Sequence, residues 1–101
     1  MGALTEHSYF ISSTKYSKAD AEGYYQATDG EIIQMYDDND RPVTINGIRI
    51  ISPDKPIYIS FDNSESYALI TPNIPLVINK LSIYRIKVKN ACRFYFDGLT
   101  Y

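Results

Sequence analysis

Val43-Thr44-Ile45-Asn46-Gly47-Ile48-Arg49-Ile50 is the stretch on which the reading of this chain turns. Asn and Gly tolerate positive φ better than other residues, and a two-residue hairpin loop of type I′ needs it at both central positions. With Asn46-Gly47 at such a turn, Ile45 faces Ile48, Thr44 faces Arg49 and Val43 faces Ile50, so one face is apolar and the other polar. The stretch predicts a β-hairpin, and with it a sheet that buries one face.

Working outward, the same period of two recurs on both sides. Ile32 to Tyr36 reads as a strand stopped by Asp37-Asp38-Asn39-Asp40 and Pro42, residues that favour turns. Ser52-Pro53-Asp54-Lys55-Pro56 is a second turn, after which Ile57, Ile59 and Phe61 alternate with Tyr58, Ser60 and Asp62. Asn63 to Ser66 turns the chain again, Tyr67 to Ile70 is a short strand, and Pro72 and Pro75 bracket a turn before Leu76-Val77-Ile78. Tyr84, Ile86 and Val88 then alternate with Arg85, Lys87 and Lys89, and the apolar set resumes at Cys92, Phe94 and Phe96. A two-residue turn at Asn90-Ala91 would split those apolar faces. The phase leaves either one long bent strand over Leu81 to Phe96 or a three-residue connection pairing Val88 with Cys92, with a further turn at Asp97-Gly98.

Seven or eight short strands with regular turn signals predict an all-β fold, an antiparallel β-sandwich of jelly-roll or immunoglobulin-like type, over residues 31–101. Residues 1–30 differ in texture. Ser8 to Ser13 carries Tyr9, Phe10 and Ile11, Ser17-Lys18-Ala19-Asp20 resembles a helix-capping sequence, and Tyr24 to Gly30 is loop-like. This segment is expected to be an N-terminal arm with at most one short helix, ordered on assembly.

Length and composition bound the function. The chain has 101 residues, 45% apolar and 22% charged, enough for one folded domain and too few for two. A net charge of −2 gives no global field toward nucleic acid or anionic lipid, so neither is expected as a partner. No apolar run approaches the roughly 18 residues of a membrane helix, and Met1 to His7 shows neither the basic nor the apolar region of a signal peptide. The lone Cys92 excludes an internal disulfide and fits a reducing cytoplasm. Ten Tyr, four Phe and no Trp suit half-buried sheet faces and subunit contacts.

The residues that carry chemistry are few. His7 stands alone in the arm, and Cys92 shares its phase with Phe94 and Phe96, which reads as a small core hydrophobe rather than a thiolate nucleophile. Asp37, Asp38, Asn39 and Asp40 lack the spacing of a calcium loop and read as a solvated acidic turn. No glycine-rich phosphate cradle occurs. Neither a cofactor nor a metal is expected, nor catalytic residues. Arg85, Lys87 and Lys89, with Arg93 nearby, put several cations on one sheet face, suited to an acidic protein neighbour.

Ile57-Tyr58-Ile59-Ser60-Phe61, Ile86-Lys87-Val88-Lys89-Asn90 and Phe94-Tyr95-Phe96-Asp97-Gly98 together give a pattern over Val43 to Tyr101 that resembles small β-sandwich virion accessory proteins of tailed bacteriophages, of the capsid-decoration, head-fibre and tail-attachment kinds. The resemblance carries over no catalytic residue. It implies a non-enzymatic structural protein of the virion, folded in the host cytoplasm, that binds capsid or tail proteins or its own copies as an oligomer. On this reading Tyr9, Phe10, Tyr16, Tyr24 and Tyr25 of the arm, with Arg85, Lys87 and Lys89, form the partner-binding set. The alternative is a carbohydrate-binding β-sandwich in which exposed Tyr rings stack on sugars and Asp or Asn side chains take their hydroxyls.

Overall fold

A computed structural model describes residues 9–37, 39–62 and 65–100. Among them the chain forms nine strands: β1 (Tyr9–Ser12), β2 (Tyr25–Ala27), β3 (Ile32–Gln34), β4 (Ile45–Ile51), β5 (Ile57–Ser60), β6 (Ala68–Ile70), β7 (Leu76–Ile83), β8 (Arg85–Val88) and β9 (Cys92–Thr100). A single 3-10 turn spans Ser13–Lys15, and no α-helix occurs in the described residues.

The strands form two antiparallel sheets. The first has the order β1-β9-β4-β7, with β2 also pairing β9, and the second has the order β3-β8-β5-β6. β1 takes residues 97–100 of β9 and β2 takes residues 92–94, so the two act as one interrupted strand. The pairing is then nested: β1/β2 with β9, β3 with β8, β4 with β7, and β5 with β6. A long antiparallel hairpin folded over so that successive pairs fall in alternate sheets gives this order, with β4·β9 and β5·β8 as the contacts made by folding. The all-β sandwich expected from the sequence is what forms, and its connectivity is that of a jelly roll.

One core lies between the sheets. Ile11, Ile45, Ile48, Ile50, Phe94 and Phe96 enter it from the first sheet, and Ile33, Ile57, Ile59, Ile70, Ile86 and Val88 from the second. β-Branched isoleucine suits this interior because its stiff side chain packs on a pleated surface at little rotamer cost. At roughly 25 cal/mol per Å² of apolar surface, these side chains supply the main stabilisation of the fold.

The structure overturns the hairpin at Asn46-Gly47. Both residues lie inside β4, which pairs with β7 on one side and β9 on the other, and the register slips between Ile45 and Ile48. Relative to β9, β4 carries one extra residue, a β-bulge. Gly47 has φ +126, and a Cβ there would stand 2.7 Å from the Ile78 carbonyl oxygen. A Cβ on Gly98 of β9 would in turn stand 2.6 Å from the Gly47 carbonyl oxygen. A bulge shifts the side-chain phase by one, as a two-residue turn would, so Ile45, Ile48 and Ile50 share the buried face under either reading.

Three other expectations change. The stretch from Leu81 to Phe96 is neither one bent strand nor a hairpin pairing Val88 with Cys92 through a three-residue connection, because β7 and β9 belong to the first sheet and β8 to the second. The chain crosses between sheets at Tyr84 and again over Lys89 to Ala91, which makes Tyr84 exposed rather than a companion of Ile86. Asp97-Gly98 is interior to β9. Ser17 to Glu22 forms turns instead of a helix: the Asp20 carboxylate accepts the N–H groups of Glu22 (2.9 Å) and Tyr24 (3.0 Å), closing a local turn that competes with helix.

Residues 9–30, expected as an arm, lie within the sandwich where they are described. β1 and β2 complete the first sheet, and Ile11, Tyr25 and Ala27 are core residues. Met1 to Ser8, including His7, lie outside the described residues.

Candidate functional site

The outer face of the second sheet gathers the charged and aromatic side chains that point away from the core. On β8, Ile86 and Val88 turn inward, so Arg85 and Lys87 turn outward, and Lys89 follows in the same phase. The neighbouring strands set tyrosines among them. Lys89 Nζ stands 5.6 Å from the ring centroid of Tyr58 on β5 and 5.6 Å from that of Tyr67 ahead of β6. The Arg85 guanidinium carbon is 5.2 Å from the Tyr84 ring. Lys87 donates to Glu65 at 2.8 Å; that bond raises the lysine above its ordinary value and lowers the carboxylate below its own. Around this row, Ile32, Leu69 and Tyr84 are 47%, 54% and 48% exposed.

Beside that face, at one end of the sandwich, the β5–β6 loop and the β7–β8 crossing enclose two adjoining clefts of about 490 and 270 Å³. Phe61, Asp62 and Ser82 line both, Tyr67 and Leu81 wall the larger, and Tyr84 and Arg85 wall the smaller. The Asp62 carboxylate is fixed by the Ser60 hydroxyl, which donates to it at 2.9 Å.

The expected partner-binding residues divide among several places. Arg85, Lys87 and Lys89 do stand together on the second sheet. Phe10 is exposed on the outer face of the first sheet, opposite Leu99 of β9, and the Tyr9 side chain lies outside the description. Tyr24 lies under Arg93, 5.0 Å from its guanidinium carbon. Tyr25 is buried and Tyr16 half-buried: their rings meet edge to face at 5.5 Å, and Tyr16 meets Phe96 at the same distance. Tyr16 donates its hydroxyl to the Gln34 carbonyl at 2.6 Å, and burial raises its phenol to about 12. Tyr25 belongs to the core, while Tyr16 packs against it and also lines a surface cleft with Lys15, Tyr36 and Asp37.

The remaining charged groups pin the loops. Arg93 donates to Glu22 (3.1 Å), Asp54 (3.2 Å) and Asp20 (3.1 Å), joining the β1–β2 loop to the turn after β4, and these carboxylates raise it. Arg49 donates to Asp97 at 2.6 Å, and Tyr95 donates to the same oxygen at 2.8 Å. Asp37 accepts the N–H groups of Asn39 (2.8 Å) and Arg41 (3.0 Å), which makes the acidic stretch a self-contained turn where it is described. Cys92 packs against the edge of the core, and burial pushes its thiol up, away from the thiolate. No group of three or more His, Cys, Asp or Glu able to hold a metal occurs among the described residues.

Sequence reading missed Tyr58, Tyr67 and Tyr84 as parts of the cationic face, and missed the end clefts altogether. The outward phase of Tyr58, between Ile57 and Ile59, was the one local signal; the others converge only through strand order. Compared with protein-family models, with curated protein sequences and with solved structures, the chain matches none of them.

Proposed function

We propose that this protein is a structural binding module of a phage virion, acting without catalysis, and that it uses the outer face of the second sheet to seat on an acidic protein surface of the capsid or tail lattice. The observation that carries this reading is the coincidence on one face of Ile32, Leu69 and Tyr84, all large and exposed, with the cations Arg85, Lys87 and Lys89. The interior is already filled by isoleucine and phenylalanine, so these apolar groups are not needed for the core. Aromatic and arginine-rich patches surrounding apolar anchors are what protein interfaces enrich.

Light scattering coupled to size-exclusion chromatography, on the protein alone and mixed with assembled particles, tests the reading. The protein is expected to travel with the particles, and Leu69→Asp, at an exposed position, is expected to release it while leaving the fold intact. A wild-type protein that passes every particle as an unbound monomer overturns it.

A further inference from the structure

Three of the four arginines are tied to a carboxylate among the described residues. Arg49 pairs with Asp97, Arg93 with three carboxylates, and Arg41 lies in the field of Asp37. Arg85 is tied to none among those residues. Its guanidinium rests on the Tyr84 ring and forms one wall of the smaller end cleft. An arginine that sits over an aromatic ring and makes no ion pair keeps its N–H fork free for a planar carboxylate, which it receives by two parallel hydrogen bonds.

The rest of the cleft defines what carries that carboxylate. Phe61, Tyr67 and Tyr84 offer ring surfaces to an apolar face of a ligand. Asp62, held by Ser60, is an acceptor for hydroxyl donors, and Ser82 lines both clefts. The larger volume, about 490 Å³, lies within the roughly 300–1,000 Å³ usual for small-molecule sites. An acidic peptide would bring repeated carboxylates against Asp62 and the nearby Glu65 and be repelled. A single carboxylate on a ring with hydroxyls satisfies Arg85 and Asp62 together.

We infer that this end cleft binds a carboxylate-bearing pyranose, a uronic-acid unit of a glycan, with Arg85 holding the carboxylate, Asp62 and Ser82 the hydroxyls, and the aromatic walls the C–H face of the ring. The cleft borders the protein-binding face and shares Tyr84 and Arg85 with it, but the two assignments are tested apart: Leu69, whose substitution tests the face, lines neither cleft, and sugar binding is read on the free protein.

Isothermal titration of the full chain with a glucuronic-acid oligosaccharide, a neutral glucose oligosaccharide of equal length and a glutamate peptide tests the assignment. The uronate is expected to bind at one site, about tenfold or more tighter than the neutral sugar, and more weakly as salt rises. Arg85→Gln is expected to weaken uronate binding about tenfold or more at an unchanged melting temperature, and Tyr84→Ala to weaken both sugars. No uronate binding, equal affinity for the neutral sugar, equal or tighter binding of the peptide, or a normal affinity in Arg85→Gln each overturns it. Amide shifts of bound uronate that map away from Phe61, Ser82 and Arg85 do so too.

Discussion

Glu31 illustrates how one side chain ties separate segments. Its carboxylate receives Lys18 Nζ at 2.6 Å, the Thr28 N–H at 2.9 Å and the Tyr25 hydroxyl, joining the loop before β2 to the turn after it. Burial pushes this carboxyl up, but the bonds from Lys18, Tyr25 and Thr28 outweigh it and bring the group down to about 2 from its ordinary 4.5. A lowered folded-state value means that the unfolded chain binds the proton more tightly. The stabilisation is therefore complete above about pH 4.5 and is lost as pH falls from there toward 2. With the side chain 17% exposed and screening allowed for, it amounts to about 1–2 kcal/mol at neutral pH. Glu31→Gln is expected to lose that amount in urea unfolding at pH 7, and its stability is expected to fall less steeply than the wild type's between pH 4.5 and 2. Parallel acid profiles for the two proteins would refute this account. The sequence places Thr28 and Tyr25 close to Glu31, but Lys18, thirteen residues away, reaches it only once the loop before β2 folds back on the turn after it.

At the scale of elements, β4 shows why local chemistry alone is ambiguous. Asn-Gly between isoleucines satisfies a type I′ turn and a bulge equally well, because both need a residue at positive φ and both shift the inward phase by one. What decides between them is the neighbour on each side, β7 and β9, and that information is not local. β3, β5 and β6 were legible from apolar alternation and the turns around them, and so were the inward Ile86, Val88, Phe94 and Phe96. Their division between two sheets was not legible, since strands facing one core from opposite sides share the same alternation. The row Arg85, Lys87, Lys89 was readable for the same reason, whereas its tyrosines and the cleft come from other strands. The bulge gives a direct test. Gly47→Ala puts a Cβ 2.7 Å from a backbone oxygen at φ +126, whereas Gly30→Ala meets nothing within 4 Å at φ +78. Urea unfolding should find a loss of about 2–4 kcal/mol for Gly47→Ala and of only about 1 kcal/mol for Gly30→Ala. Equal losses would show that β4 does not press on β7 at Gly47.

For the whole molecule, the nested pairing sets an order of assembly. Residues 61–67 join β5 to β6, residues 52–75 separate β4 from β7, residues 35–84 separate β3 from β8, and residues 13–91 separate β1 from β9. Closing the outermost of these loops directly costs about 2 kcal/mol more chain entropy than closing the innermost. Once β5 and β6 have paired, each outer pair closes only the short segments that flank the pair inside it, although successive pairs fall in alternate sheets, so the least costly route runs from the middle of the chain outward. Refolding is then dominated by pairings distant in sequence and falls in the millisecond-to-second range of all-β domains. It follows that Ile59 and Ile70, buried on β5 and β6, have partners early, while Ile11, buried on β1, gains its contacts last. Ile59→Val and Ile70→Val, each costing about 1 kcal/mol, are expected to slow folding with φ-values above about 0.5, while Ile11→Val mainly speeds unfolding with a φ-value below about 0.3. A high value at Ile11 with low values at Ile59 and Ile70 would mean that the chain ends pair first, so that the terminal segments, rather than the β5–β6 apex, nucleate the jelly roll.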